Sequence, residues 1–174
     1  SDESRGLGDV YKRQGFDPQL PKTGQVNMTT DTATGSLALL GLPQDCNSTF
    51  LRGPRLGPEA IRHAIMCDSG NMFAETGCDL GAPGLWHDAG DVALEQLSGV
   101  DAYNAIHDRV DRLLEEGNRV FSLGGDHSVS YPAVMAHARH HSGLNLLHID
   151  AHPDLYDDMG GNPFSHASSF ARLM

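Results

Sequence analysis

No stretch of this chain is apolar for long enough to cross a bilayer as a helix. The run 37–42 has the length of a strand, far short of the roughly 20 residues a spanning helix needs. Positive charge is also scarce. Twelve Lys and Arg against 23 Asp and Glu give a formal charge of −11, which argues against nucleic acid, since that needs a basic face. It argues equally against an anionic membrane surface, and it favours approach of a cationic small molecule. Cysteine is sparse: Cys46, Cys67 and Cys78 show no Cys-x-x-Cys spacing, so neither a zinc knuckle nor a disulfide framework follows. A reducing, cytoplasmic location is the expectation. No signal-peptide pattern stands at the start, and no repeat runs along the chain.

What is present suits one domain. The length of 174 residues sets that prior, and 39% hydrophobic content permits a core. Residues 1–35 show no apolar period and read as a disordered or non-native flanking segment; residues 36–174 carry the fold. A strand is expected at 36–41. A loop over 42–57 follows, in which Asn47 and Ser48 approach the site. Pro58 suits a first helical position, and a helix over 59–67 should turn Ile61 and Ile65 inward. A Gly-containing loop over 68–84 is expected to mediate subunit contact or to cover the pocket. A short strand is placed at 85–91, with Trp86 packing. The stripe Tyr103, Ile106, Val110, Leu113 and Leu114 marks an amphipathic core helix, which Gly117 ends. Strand 119–123 and helix 131–141 complete a βα unit, and 145–149 reads as a buried strand. Strand and helix alternation of this kind predicts a mainly parallel sheet between helix layers, an α/β fold of three layers.

The chemistry sits after the last two strands. Asp150, His152 and Asp154 alternate in Asp150-Ala151-His152-Pro153-Asp154. Two carboxylates and an imidazole at a strand end form a compact donor set for a divalent cation, with Mn²⁺ well suited and Zn²⁺, Fe²⁺ or Co²⁺ as alternatives. The second cluster is Gly124-Gly125-Asp126-His127-Ser128, a strand, a glycine turn, polar residues and then a helix. In parallel sheets ligands gather beyond the carboxyl ends of the strands, so His127 should approach Asp150, His152 and Asp154. Adjacent residues rarely face one metal together, so Asp126 is expected to hydrogen-bond loop amides or a ligand. His148 reads as a satisfied histidine near the core. Asp157 and Asp158 read as solvated loop acids, with contact to a cationic substrate as the alternative for Asp157. His137, His140 and His141 suit a helix C-terminus and are assigned no metal.

With Ser165-His166-Ala167-Ser168-Ser169-Phe170 and the weaker Gly53-Pro54-Arg55-Leu56-Gly57-Pro58-Glu59-Ala60-Ile61-Arg62, these blocks resemble the ureohydrolase superfamily of arginases and agmatinases. The version in this chain is nearest the plant-type arginase and agmatinase branch. The resemblance implies an arginase-like α/β/α fold and a homo-oligomer, trimeric or hexameric. It implies hydrolysis of a guanidino compound to urea and an amine by a hydroxide bridging two Mn²⁺ ions. Carried over by position, His127 binds one ion with Asp150 and Asp154, His152 binds the other, and Asp150 bridges. His166 is the proton shuttle and counts with Asp154 as catalytic. The loop 155–165, with Tyr156, Asn162 and Ser165, lines the pocket for a small cationic guanidino substrate.

Tyr156 replaces an Asn usual in animal and bacterial arginases, which tilts the expectation toward agmatinase; arginase is the alternative. The family's later Asp-x-Asp segment is not in this sequence. The chain therefore reads as an N-terminal fragment that lacks the C-terminal part of the fold and is inactive by itself, which leaves a non-catalytic metal-binding or assembly protein as a further alternative. Asp150-Ala151-His152 also opens the metallophosphoesterase pattern, but the Gly-Asp-x-x-Asp and Gly-Asn-His that should follow are missing.

Overall fold

The structure is a computed structural model, and it describes residues 35–174. The expectation for residues 1–35 lies, Gly35 apart, outside the described residues. Three parallel strands form the sheet in the order β2-β1-β3: β1 at Leu37–Leu42, β2 at Trp86–Asp91 and β3 at Arg119–Gly124. Strand β1 is central and almost continuously buried. That explains its unbroken apolar sequence, since the middle strand of a covered parallel sheet meets side chains on both faces.

Helices α1 (Gly57–Ile65), α2 (Gly99–Glu115) and α3 (Ser130–His140) connect or follow the strands, and a short α4 spans Ser169–Leu173. Ala38, Leu40 and Leu42 project from one face of β1 into a core with Ile106, Val110 and Leu113 of α2 and Ala136 of α3. The α2 stripe is thus core, with Ala102 and Asp111 buried beside it. Gly117 ends the segment at φ 82°. There its amide reaches the Leu114 carbonyl at 2.9 Å, a turn that glycine adopts without strain.

Asp111 joins α2 to α3. Its carboxylate accepts from His140 Nε2 and from Arg139 Nη1, both at 2.8 Å. The His140 hydrogen bond, aided by the Arg139 charge and opposed by desolvation, holds the Asp111 carboxyl below the usual carboxylate range. A carboxyl depressed on folding adds stability above its unfolded pKa, about 3.9. That stability is lost as pH falls through the lower folded value. The melting temperature is therefore expected to fall more steeply between pH 5 and pH 3 in the wild type than in Asp111→Asn. Parallel acid-side curves would show that the clamp contributes nothing.

Three expectations need correction. Ile61 is 41% exposed, because Arg62 sets the rotation of α1. Its guanidinium lies 2.8 Å from Asp88 and 2.5 Å from Asp91 on β2, and about 100° per residue then turns Ile61 aside. The loop 68–84 meets the N-terminal end of β2, where Trp86 Nε1 donates to the Leu80 carbonyl at 2.8 Å. It borders an open apolar groove with Leu37, Leu39 and Phe121, so it does not cover the strand ends that carry the site.

The third correction is the largest. Residues 145–149 form no strand, and Leu147 and Ile149 are 85% and 88% exposed. A buried parallel strand needs a ladder partner and cover on both faces, and among the described residues nothing supplies either to this segment.

Candidate metal centre

The site is built where β3 ends. Gly124 and Gly125 turn the chain, and a Cβ on Gly125 would stand 1.9 Å from the Gln44 carbonyl oxygen. Glycine is required there by this close approach of two backbones. The Asp126 amide donates to the same carbonyl at 2.7 Å. Asp126 then caps the short 3-10 turn His127–Val129. Its Oδ1 accepts from the Ser128 amide at 3.0 Å and from the Ser128 hydroxyl. Its Oδ2 accepts from the Asn47 amide at 3.1 Å and the Ser48 hydroxyl at 3.3 Å. This buried carboxylate faces away from the cluster of donors and fastens the loop after β1 to the turn after β3.

His127 leaves that turn toward the 150–154 segment. Its Nδ1 stands 2.5 Å from Asp154 Oδ2 and 3.6 Å from Asp150 Oδ2. The two oxygens of Asp150 face different imidazoles: Oδ2 meets His127 and His148, each at 3.6 Å, and Oδ1 lies 3.7 Å from His152 Nδ1. The His152 amide, 2.9 Å from Oδ1, and then the His127 and His148 imidazoles hold the Asp150 carboxyl below the usual carboxylate range against desolvation. Asp150 is therefore an anion at neutral pH.

Asp154 is the one non-glycine residue with positive φ, 47°, among the described residues. Such backbone strain persists where the surroundings enforce it, and here the Phe170 and Ala171 amides donate to the Asp154 carbonyl at 3.1 and 3.3 Å. Helix α4 thus fixes the loop that carries the carboxylate.

His148 belongs to this cluster, although its sequence position reads as a satisfied near-core histidine. Its ring stacks on Phe170 with centroids 3.8 Å apart. Its Nε2 is buried with no hydrogen-bond partner among the described residues. Donor atoms of His127, His148 and Asp150 lie within 4.8 Å of one another. Its alternation with Asp150 was the available signal, since residues two apart share a face in extended chain. His152 is 80% exposed on the far side of Asp150.

The remaining candidates separate into two groups. Tyr156 and His166 border an open cleft of about 470 Å³ with His152, Asp154, Leu155 and Met159. Ser165 is 2% exposed and its hydroxyl caps the Ala167 amide. Asn162 donates to Asn47 Oδ1 at 2.9 Å and accepts from the Phe164 amide. Neither lines that cleft; both are occupied in shaping the loop, as Asx and Ser side chains commonly are. Thr49, which the sequence reading passed over, lies 3.2 Å from His166 Nε2.

The donor chemistry fits a divalent cation. Carboxylates and imidazoles converge, and a buried, unpartnered nitrogen is aimed at an anionic oxygen. Fold and site together define a parallel α/β protein with a candidate metal centre beyond the carboxyl ends of its strands. Within that class the chain belongs to the arginase family, whose sequence profile matches residues 35–174. It is 46% identical over 149 residues to "Arginase 1, mitochondrial" of Arabidopsis thaliana, covering 82% of this chain and 44% of the relative. It is 36% identical over 146 residues to an N(1)-aminopropylagmatine ureohydrolase of Thermus thermophilus, covering 79% and 46%. The solved arginase from Medicago truncatula superposes with a TM-score of 0.75 at 40% identity, covering 80% of this chain and 46% of that one. The chain thus spans less than half the length of these relatives. Among the described residues no helix is long and apolar enough to cross a membrane.

Proposed function

We propose that this chain contributes the His127, Asp150, His152 and Asp154 portion of a Mn²⁺ centre in a ureohydrolase of arginase type. The observation that carries the reading is the convergence of Asp150 and Asp154 on His127, which leaves the turn at the carboxyl end of β3. Similarity to relatives named arginases, at 40–46% identity, favours arginine as substrate and replaces the agmatinase leaning taken from Tyr156. That side chain is 63% exposed at the cleft, and a single such position has less weight than identity over 149 residues. By the same likeness, a mitochondrial location replaces the cytoplasmic expectation, and a homo-oligomer remains part of the proposal.

When bound, Mn²⁺ supplies Lewis acidity and lowers the pKa of water for attack on the guanidinium carbon. The protein's own groups do the rest. Asp150 offers one oxygen to each side of the centre. Asp154, held by α4, sets the His127 ring. His166 carries a proton between the cleft and the departing amine, work suited to an imidazole because its ring nitrogens both donate and accept. The Asp154 carboxylate on the cleft and the net negative charge of the chain favour a cationic guanidino group.

Urea release is the test, measured with Mn²⁺ on the chain and on any longer protein that contains it. The panel is arginine, agmatine and guanidinobutyrate. Metal-dependent urea, fastest from arginine, is the expected result. Faster release from agmatine would restore the agmatinase reading. Metal binding without urea from any substrate would leave a non-catalytic metal-binding protein.

A further inference from the structure

We propose that Thr49 is a positioning residue for His166, its hydroxyl holding the ring so that protons pass through Nε2. The destination of those protons rests on the ureohydrolase reading above; the hold on the ring does not.

The two side chains meet at 3.2 Å, Thr49 Oγ1 to His166 Nε2. The other ring nitrogen, Nδ1, is buried with no hydrogen-bond partner among the described residues. Nε2 is therefore the nitrogen open to exchange, and Thr49 is its partner. The backbone of His166 is already fixed, because the Ser165 hydroxyl caps the turn that His166 begins. Ring rotation is the freedom that remains, and Thr49 restrains it.

Thr49 is itself held by a built loop. Asp126 accepts from the Asn47 amide and the Ser48 hydroxyl, which pins the two residues before it. Beyond it, Asp45 accepts from the Gly53 amide at 2.8 Å. The carboxylate that caps the His127 turn thereby also sets the position of the hydroxyl facing His166.

A hydroxyl suits this place because it both donates and accepts. With the ring charged, Nε2–H donates to Thr49 Oγ1. On transfer the Nε2–H bond breaks, its electron pair stays on Nε2, and a new N–H bond forms on the departing amine. The neutral ring keeps its hydrogen on Nδ1, where no acceptor stands. The Thr49 hydroxyl then donates to the Nε2 lone pair until a hydronium ion from solvent returns the proton and leaves as water. A carboxylate could serve only the first state and an ammonium only the second.

The test uses the whole chain with Thr49→Val, Thr49→Ala and Thr49→Ser. The first readout is the His166 ring in long-range ¹H–¹⁵N NMR spectra, with no metal or substrate needed. Val and Ala are each expected to shift or split the Nε2 signal, and Ser to restore it. The second readout is urea release with Mn²⁺. Val is expected to lower kcat by about 10-fold, a fraction of what a general acid contributes, with KM unchanged and Ser close to wild type. Ala adds no bulk, so a shift shared by Val and Ala comes from the missing hydroxyl. A His166 signal unchanged in both, or as perturbed in Ser as in Val, overturns the proposal. Absence of urea from a wild-type longer protein that contains this chain would instead defeat the ureohydrolase reading, while the NMR result still decides the role of Thr49.

Discussion

Asp150→Ala is expected to lower Mn²⁺ affinity by about 100-fold or more. Loss of a group that merely supports a ligand already costs about 10–100-fold. Asp150 stands at the centre of the cluster, with Oδ2 at 3.6 Å from both His127 and His148 and Oδ1 at 3.7 Å from His152. Its removal leaves three imidazoles without the anion between them, and imidazoles alone are poor partners for a hard ion such as Mn²⁺. Asp157→Ala is the control, since that side chain is fully exposed and pairs loosely with Arg172 at 3.9 Å.

Titration of free Mn²⁺ by electron paramagnetic resonance measures both variants directly. Wild-type affinity in Asp150→Ala would place the centre elsewhere. The pH dependence adds a second check. The Asp150 carboxyl is held below the usual carboxylate range, so the loss of affinity that its protonation brings should come only at lower pH than an ordinary carboxylate would give.

The sequence made the βα order of this fold legible because each segment carries its own signal. The apolar run in β1, the 3.6-residue stripe of α2 and the glycine after it state locally what the packed structure then uses. It also brought His127 near Asp150 and Asp154, although the aligned strand ends behind that expectation are replaced in the structure by an irregular segment held against the turn after β3. Segment 145–149 failed for the opposite reason. Its composition is that of a strand, but a strand exists only through a neighbour's hydrogen bonds and cover, and composition does not encode those. Ile61 failed because an ion pair between Arg62 and two acids on β2 outweighed an apolar pattern on one short helix. Thr49, Asn162 and Ser165 were illegible for a third reason. Small polar side chains serve loops and sites alike, and only a distance separates Thr49, which meets His166, from Ser165, which meets a backbone amide.

Asp126→Ala is expected to destabilise the fold by about 3 kcal/mol. Loss of an N-cap costs about 1 kcal/mol. Hydrogen bonds to a charged acceptor contribute about 1.5–3 kcal/mol when made, and donors left buried and unpaired cost comparably. Both apply here, because Asp126 is 6% exposed and its two oxygens serve different segments. Asp126→Asn separates them. An amide has one acceptor oxygen, so it can keep the Ser128 cap only by turning its NH₂ against the Asn47 amide. It should lose about half as much stability, and the loss should fall on the 44–49 loop. Urea unfolding gives the totals, and hydrogen exchange at the Asn47 amide locates the loosened arm. Both variants within about 0.5 kcal/mol of wild type, the margin typical of neutral surface changes, would show that Gln44–Asp126 backbone pairing alone holds the loop. Because that loop also carries Thr49, which meets His166, a loss in Asp126→Asn that falls on the loop would tie the stability of the turn after β3 to the setting of the His166 ring.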